Sequence, residues 1–94
     1  MPKIELYAKD WCPYCKAAKA LLAKRGLKYV HHNVTAGGPL EDEMRTRASR
    51  TSVPQVFIDG HHVGGFDDLA AADRSGELDT LLAGDAVSRV AALG

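Results

Sequence analysis

A cysteine pair at the junction of a strand pattern and a helix pattern is the feature that most constrains the fold of this chain. Cys12 and Cys15 follow the segment Lys3 to Ala8, in which apolar residues alternate with polar or amphipathic ones. Pro13 suits the first position of a helix, because its fixed φ is helical and its missing N–H would be unpaired there anyway. Cys12 is then predicted to be the N-cap, with its sulfur facing unpaired backbone N–H groups and the positive end of the helix dipole.

The positions of the two sulfurs predict redox chemistry. An N-cap position favours the thiolate, which is the nucleophilic form of cysteine, so Cys12 is expected to attack substrates. Cys15 falls in the first turn of the helix, where exposure drops, and it is expected to resolve a mixed disulfide on Cys12. A passive structural disulfide and half of a zinc site are the alternatives. Zinc would need two more ligands, and the chain has only 2 cysteines.

Length and charge restrict the class of protein. The 94 residues suffice for one domain, which we place at residues 1–83, followed by a tail at 84–94. The 12 basic and 12 acidic residues leave no net charge, so binding to nucleic acid is not expected. No apolar run approaches the roughly 18 residues that would span a membrane. We expect a cytoplasmic protein, in which a cycling disulfide would fit the reducing compartment better than a structural one. We also expect a monomer.

Hydrophobic periodicity predicts helices and strands in the order β-α-β-α-β-β-α-α. The first helix is predicted at about Pro13 to Arg25, and a strand follows within Leu27 to Asn33. The second helix is predicted to start at Pro39, with basic residues gathered toward its end. Its apolar face is expected to be buried against the sheet and comprises three residues that repeat every four positions: Leu40, Met44 and Ala48.

The second half of the chain predicts a hairpin and two helices. Pro54 to Ile58 is typical of a strand, and Asp59-Gly60 favours a tight turn because both residues tolerate positive φ. His61 to Val63 would return as the partner strand, followed by helices from Phe66 to near Gly76 and from about Glu77 to Ala83. A helical crossover makes the first two strands parallel. We therefore predict an α/β fold with a four-stranded mixed sheet flanked by helices.

Three separated motifs follow one another in a characteristic order. They are Cys12 to Cys15 (Cys-Pro-Tyr-Cys), Thr51 to Pro54 (Thr-Ser-Val-Pro), and Gly64 to Asp68 (Gly-Gly-Phe-Asp-Asp). Through them, residues 3–83 resemble the dithiol glutaredoxins of the short bacterial type. The resemblance implies the thioredoxin fold and an enzyme that reduces glutathione mixed disulfides and protein disulfides, with glutathione as its reducing co-substrate and no metal. Its partners would be glutathionylated or disulfide-containing proteins, with ribonucleotide reductase a plausible client.

The resemblance also implies a binding groove for glutathione. Val53 would pair its backbone with the cysteinyl part of glutathione, a short case of strand addition, and Pro54 would be cis. Backbone N–H groups at the start of the helix after Gly65 would bind the γ-glutamyl carboxylate. An acid there would bind the ammonium, a lysine the glycine carboxylate, and a tyrosine would border the groove. The implied glutathione-binding residues are Lys9, Tyr14, Val53, Pro54, Gly65, Phe66, Asp67 and Asp68.

The charged residues of this set also have simpler interpretations. Asp67 and Asp68 can merely cap their helix, and Lys9 can be a solvated surface charge. Many relatives carry an arginine where this chain has Thr51, so that basic contact would fall to Arg47 or Arg50, and the sequence does not decide between them.

Two aromatic residues and two histidine pairs bear on the redox site and on a candidate metal site. Phe66 stands where many relatives have a third cysteine, which confines redox chemistry to the two cysteines. Trp11 is expected to shield the sulfur or to pack at the edge of the site. The pairs His31-His32 and His61-His62 suggest a metal, but adjacent residues on a strand point to opposite faces. We expect structural histidines and no metal site.

Two rival functions differ from glutathione-dependent catalysis. One is a redoxin reduced by thioredoxin reductase, which is disfavoured because the acidic pair and the lysine suit glutathione. The other is an iron–sulfur carrier, in which Cys12 and glutathione would bind a cluster across a dimer. Pro13 disfavours it by stiffening the loop, and Cys15 disfavours it by competing for Cys12.

Overall fold

The element order of the protein is β-α-β-α-β-β-α-α over residues 2–83, which the computed structural model describes. This is the predicted order; the predicted tail, residues 84–94, lies outside the described residues. None of the helices in residues 2–83 is long and apolar enough to cross a membrane. The elements are β1 (Ile4–Ala8), α1 (Pro13–Lys24), β2 (Val30–Asn33), α2 (Pro39–Ala48), β3 (Gln55–Ile58), β4 (His61–Gly64), α3 (Phe66–Ser75) and α4 (Glu77–Ala83).

The central strand β1 is buried along its whole length. It pairs in parallel with β2 on one side and antiparallel with β3 on the other, and β4 completes the sheet order β2-β1-β3-β4. A helical crossover joins β1 to β2, as the parallel pairing requires. The predicted four-stranded mixed sheet flanked by helices is confirmed.

The β3–β4 hairpin brings the chain back toward the site. Asp59 and Gly60 have φ values of 49° and 82°, the left-handed conformations that a tight hairpin turn demands. The ladder shifts register between Val56 and Phe57, so that Phe57 lies opposite His62 while Val56 lies opposite Gly64. The hairpin therefore ends with Gly64 next to the start of α3.

The sheet has two faces of different chemical character. One face belongs to an apolar cluster that includes Leu6 and Val56 of the sheet, Leu22 of α1 and Leu69 of α3. The opposite face carries a cluster against α2, whose buried members are Tyr7, Val34, Met44, Ala48 and Phe57.

Some local features differ from the predicted ones. Helix α1 ends at Lys24, one residue early, and Gly26 with φ 69° turns the chain away. Strand β2 begins at Val30 rather than near Leu27. The expected burial of Leu40 is wrong: it lies in the first turn of α2, before the helix reaches the buried cluster of Tyr7 and Phe57, and is 37% exposed.

Candidate functional site

Cys12 is the N-cap of α1, as predicted. Its sulfur accepts a hydrogen bond from the Cys15 N–H at 3.2 Å, and Pro13 occupies the first helical position. The thiol also points at the Val53 carbonyl oxygen, 3.8 Å away. The sulfur is half-buried, so it combines helix-terminal polarisation with access from outside.

Cys15 is fully buried in the apolar cluster beneath the site. Burial and, secondarily, the hydrogen bond with Cys12 raise the pKa of the Cys15 thiol from 9.0 to about 11. Both cysteines are free thiols. The predicted difference in exposure between the two sulfurs is confirmed, and it makes Cys15 a poor nucleophile toward anything in solution.

The segment before β3 lies directly beside the Cys12 sulfur. The peptide bond between Val53 and Pro54 is cis, as the family resemblance implied. Gly65 packs close to the same segment, because a β-carbon added at that position would lie 3.5 Å from the Pro54 carbonyl oxygen. The three motifs that are far apart in the sequence therefore meet at one place.

A groove of about 300 Å³ runs along this meeting point. The rings of Tyr14 and Phe66 stand on its rim with their centroids 6.4 Å apart. Seven of the eight residues predicted to bind glutathione line it. We call it the active-site groove, and its lining residues are Tyr14, Arg50, Ser52, Val53, Pro54, Gly65, Phe66, Asp67 and Asp68.

Asp68 is held at the start of α3 by three features. Its carboxylate accepts the Gly65 N–H at 3.0 Å and an Arg50 N–H at 3.1 Å. The Gly65 N–H, with Arg50 second, lowers the pKa of Asp68. The carboxylate lies over Gly64, where an added β-carbon would stand only 2.3 Å from its oxygen. Asp68 thus caps its helix, the simpler of its two interpretations, while still lining the groove.

The three basic residues considered for the site lie in different places. Arg50 lies in the active-site groove, whereas Arg47 donates to both carboxylate oxygens of Glu5, at 3.0 and 3.1 Å, on the α2 side of the sheet. Lys9 is not among the lining residues; its ammonium is 3.7 Å from Glu41. Of the two arginines left open by the sequence, Arg50 is therefore the one placed at the groove.

The positions of one aromatic residue, Trp11, and one polar residue, Gln55, were not predicted from the sequence. Trp11 is 85% exposed, which leaves little of its ring against the protein and does not fit the expected shielding of the sulfur. Gln55 is fully buried and hydrogen-bonded to Ser52 of the groove and to His62. A polar residue near the start of an otherwise apolar strand pattern was the available signal for Gln55.

The histidine pairs do not converge within either pair. His31 and His61 are exposed, while His32 and His62 are half-buried and contact other side chains. Glu5, His32 and Glu43 do bring one ligand atom each within 4.8 Å of one another. The Arg47 guanidinium already supplies a cation there, as it pairs with both glutamates.

Comparisons with known proteins agree with this geometry. A family model of glutaredoxins matches residues 4–63. The chain is 46% identical to Glutaredoxin 3 of Escherichia coli over 82 residues, which cover 87% of this chain and 99% of that protein. It is 43% identical to a glutaredoxin of Pseudomonas aeruginosa, covering 87% and 98% of the two chains.

Solved structures give the same result for the fold. The solution structure of a Brucella melitensis glutaredoxin matches with a TM-score of 0.74 and 44% identity, covering 85% of this chain and 87% of that one. A crystal structure of a buckwheat glutaredoxin–glutathione complex matches with a TM-score of 0.77 and 26% identity, covering 87% and 77%. The expected thioredoxin fold is confirmed by these neighbours. The chain belongs to the glutaredoxin family.

Proposed function

We propose that this glutaredoxin reduces glutathione mixed disulfides and protein disulfides with Cys12 as the nucleophile, Cys15 as the resolving thiol and glutathione as the reductant. The observation that supports this best is the Cys12 sulfur, which caps α1 and faces the Val53 carbonyl beside the groove. A nucleophilic sulfur next to an extended backbone segment suits disulfide exchange with a small peptide such as glutathione.

Reduction of a glutathione mixed disulfide needs only Cys12. Its thiolate attacks the glutathione sulfur, forms the Cys12–glutathione disulfide and releases the substrate thiolate. The thiolate of a second glutathione then attacks the glutathione sulfur of that disulfide, which gives oxidised glutathione and restores the Cys12 thiolate. The N–H groups at the start of α1 stabilise Cys12 as the leaving group in this second step.

Reduction of a protein disulfide also uses Cys15. Cys12 attacks one substrate sulfur and forms a mixed disulfide, and the other substrate sulfur leaves as a thiolate. Cys15 then loses its proton and attacks the Cys12 sulfur, which releases the second substrate thiolate and leaves a Cys12–Cys15 disulfide. Glutathione reduces that disulfide in two exchanges. Since the pKa of Cys15 is about 11, loss of its proton is a barrier that the single-thiol route does not meet.

Glutathione would bind in the active-site groove through its backbone and its charged ends. We assign the cysteinyl part to the Val53 backbone, beside Pro54, and the γ-glutamyl carboxylate to the N–H groups of Phe66 and Asp67 at the start of α3. The γ-glutamyl ammonium would meet Asp68, displacing or joining Arg50.

The other groove residues would shape this site. Tyr14 would form the rim, and Gly65 would leave space for the ligand. We keep Lys9 as the partner of the glycine carboxylate, which requires it to exchange its ion pair with Glu41. This exchange costs little, because the Lys9 side chain is 41% exposed and Glu41 keeps Arg45 as a partner at 3.1 Å.

The structural neighbour from buckwheat is a complex with glutathione, which supports the same ligand here. A cycling dithiol suits a reducing compartment, so we assign the protein to the cytoplasm. We also propose that it acts as a monomer. Its protein partners would be glutathionylated or disulfide-containing proteins, with ribonucleotide reductase as one plausible client.

The two cysteine variants test the assignment of roles. Cys12→Ser should abolish reduction of both a glutathionylated peptide and a protein disulfide such as that of insulin. Cys15→Ser should retain most activity on the glutathionylated peptide and lose most of its activity on the protein disulfide. Equal losses on the glutathionylated peptide in the two variants would contradict the assignment.

The electron donor and the rival functions need two further measurements. A coupled assay should show turnover with glutathione, glutathione reductase and NADPH, and little with thioredoxin reductase and NADPH. Preference for thioredoxin reductase would point to the rival redoxin. An absorption spectrum of freshly purified protein checks the cluster carrier, because an iron–sulfur cluster is coloured and a dithiol is not.

A further inference from the structure

Gln55 is a fully buried polar residue at the start of β3. Its side-chain Nε2 lies 3.0 Å from the Ser52 carbonyl oxygen and 3.3 Å from the Ser52 hydroxyl. Its Oε1 lies 2.6 Å from Nε2 of His62, which is on the neighbouring strand β4. Gln55 therefore connects the segment before Pro54 to the far edge of the sheet.

The chemistry of the partners fixes the direction of these hydrogen bonds. A backbone carbonyl oxygen can only accept, so the Gln55 atom that faces Ser52 must be the amide nitrogen. The other end of the amide is then a carbonyl oxygen, and His62 must donate to it from a protonated Nε2. The His62 ring is itself held in a stack on Phe57, with the ring centroids 4.9 Å apart. The row runs from His62 through Gln55 to Ser52 with every bond in one direction.

The Ser52 carbonyl belongs to the same peptide unit as the Val53 N–H. A peptide unit is planar, so a hydrogen bond that fixes its oxygen also fixes the direction of its N–H. The bond also polarises the peptide, which makes the N–H a slightly stronger donor. On the other side of Val53, its own carbonyl oxygen faces the Cys12 sulfur at 3.8 Å. Gln55 thus acts on a residue whose backbone adjoins the nucleophile.

We propose that Gln55, supported by His62, is a positioning residue that holds the Ser52–Val53 peptide in the orientation needed to bind the backbone of a glutathione mixed disulfide. The inference rests on the proposed function, in which Val53 pairs with that backbone. Gln55 lies on the α2 side of the sheet and touches neither sulfur nor ligand. Its role is to reduce the freedom of the groove wall before the ligand arrives.

Steady-state kinetics with a glutathionylated peptide test the proposal. Gln55→Met keeps the volume and removes the hydrogen bonds on both sides. We expect KM to rise by roughly two- to tenfold, the range of a lost hydrogen bond. The kcat should stay within about twofold of the wild-type value, less than the effect of one hydrogen bond. The rate of Cys12 alkylation by iodoacetamide should stay unchanged, because that reaction does not use the groove wall. His61→Gln, at the exposed neighbour of His62 on β4, serves as the matched control and should behave as wild type.

A second variant separates the two arms of the row and covers a failure of Gln55→Met to fold. Gln55→Glu can accept from His62 but, as a carboxylate, cannot donate to Ser52, so its KM should rise as well. An unchanged KM in either folded variant would overturn the proposal. A KM that rises only together with a changed alkylation rate would also overturn it, since that indicates general disturbance of the site. A wild-type protein with no activity on the peptide would instead refute the proposed function itself.

Discussion

The two faces of the sheet are held to their helices by different forces. On the α1 and α3 side, Leu6 and Val56 pack among aliphatic side chains in a cluster that contains the Cys15 sulfur. On the α2 side, Arg47 lies with its guanidinium carbon 4.1 Å from the centroid of the Phe57 ring while pairing with the Glu5 carboxylate. The first face depends mainly on apolar burial, whereas the second adds directed contacts between charges and rings to its own buried cluster.

The difference bears on how each helix is oriented. Apolar packing is non-directional and roughly proportional to the area buried. It therefore attaches α1 to the sheet without strongly fixing the orientation of the helix. Charged hydrogen bonds have narrow geometry, so Arg47 defines how α2 lies across the sheet. It also donates to the Tyr7 hydroxyl at 2.7 Å, and burial is the main cause that raises the pKa of Tyr7 to about 12. We therefore expect the stability supplied by the face that carries the thiols to be independent of pH, and the stability supplied by the α2 face to fall in acid.

Loss of packing on the apolar face should give the largest change. Leu6→Ala removes a fully buried side chain from the centre of this cluster. We expect the free energy of unfolding to fall by about 2–5 kcal/mol. Because the raised pKa of Cys15, about 11, keeps the thiol of this cluster protonated at both values, the loss should be the same at pH 7 and pH 5 in urea titrations. A loss that depends strongly on pH would contradict the division between the faces.

The thiol within the apolar face should be strongly suppressed. In Cys12→Ser, Cys15 is the only cysteine, and burial, the main cause of its raised pKa, is still present. We expect alkylation at neutral pH to be about a hundredfold slower than for an ordinary free cysteine, because the thiolate is the reacting form. In the matched variant Cys15→Ser, the half-exposed Cys12 should react much faster. Similar rates for the two would show that the cluster admits solvent.

The stability supplied by the α2 face should fall in acid. The Arg47 hydrogen bonds are the main cause that lowers the pKa of Glu5 from 4.5 to about 2. Glu5→Gln should cost about 1.5–3 kcal/mol of unfolding free energy at pH 7. Since the pKa of Glu5 is lower in the folded state, the stability it supplies is complete above about pH 4.5 and is lost as the pH falls toward 2.

Unfolding of wild type and Glu5→Gln, measured across this pH range, checks the prediction. The difference between the two proteins should narrow steadily below pH 4.5, because protonated Glu5 resembles the amide. A constant difference would show that Glu5 contributes only by packing.

The smallest effect should come from the other arginine of the same helix. Arg45 pairs with Glu41 at 3.1 Å, but its side chain is 50% exposed. Arg45→Gln should change the free energy of unfolding by no more than about 0.5 kcal/mol, and less in high salt. Arg47→Gln provides the comparison and should be clearly more destabilising. Equal effects would mean that contact with the sheet adds nothing to an arginine of α2.

Local sequence signals were enough for the elements near the site. Pro13 and the cysteine before it predicted the start of α1, and Asp59-Gly60 predicted the hairpin turn, because each depends on the conformational preference of one or two residues. The cis bond before Pro54 came from the family resemblance alone, since nothing local separates cis from trans.

Contacts across the sheet could not be predicted in this way. Arg47 looked like part of a basic helix end, yet its partners Glu5 and Tyr7 are 42 and 40 positions away in the chain. Gln55 looked like an ordinary strand residue until β4 brought His62 to it. Such partners are determined by strand order and by which face each residue occupies, and periodicity gives only the second of these.

The order of the strands has a consequence for association between copies of the chain. The outer strands β2 and β4 are each 4 residues long, and both carry two adjacent histidines. An open strand edge is a template for pairing with foreign chains, and short, polar edges are a protection against it. With an imidazole on either face, both edges offer little flat apolar surface for a fibril to extend. Both outer edges of the sheet are thereby protected against pairing with foreign chains.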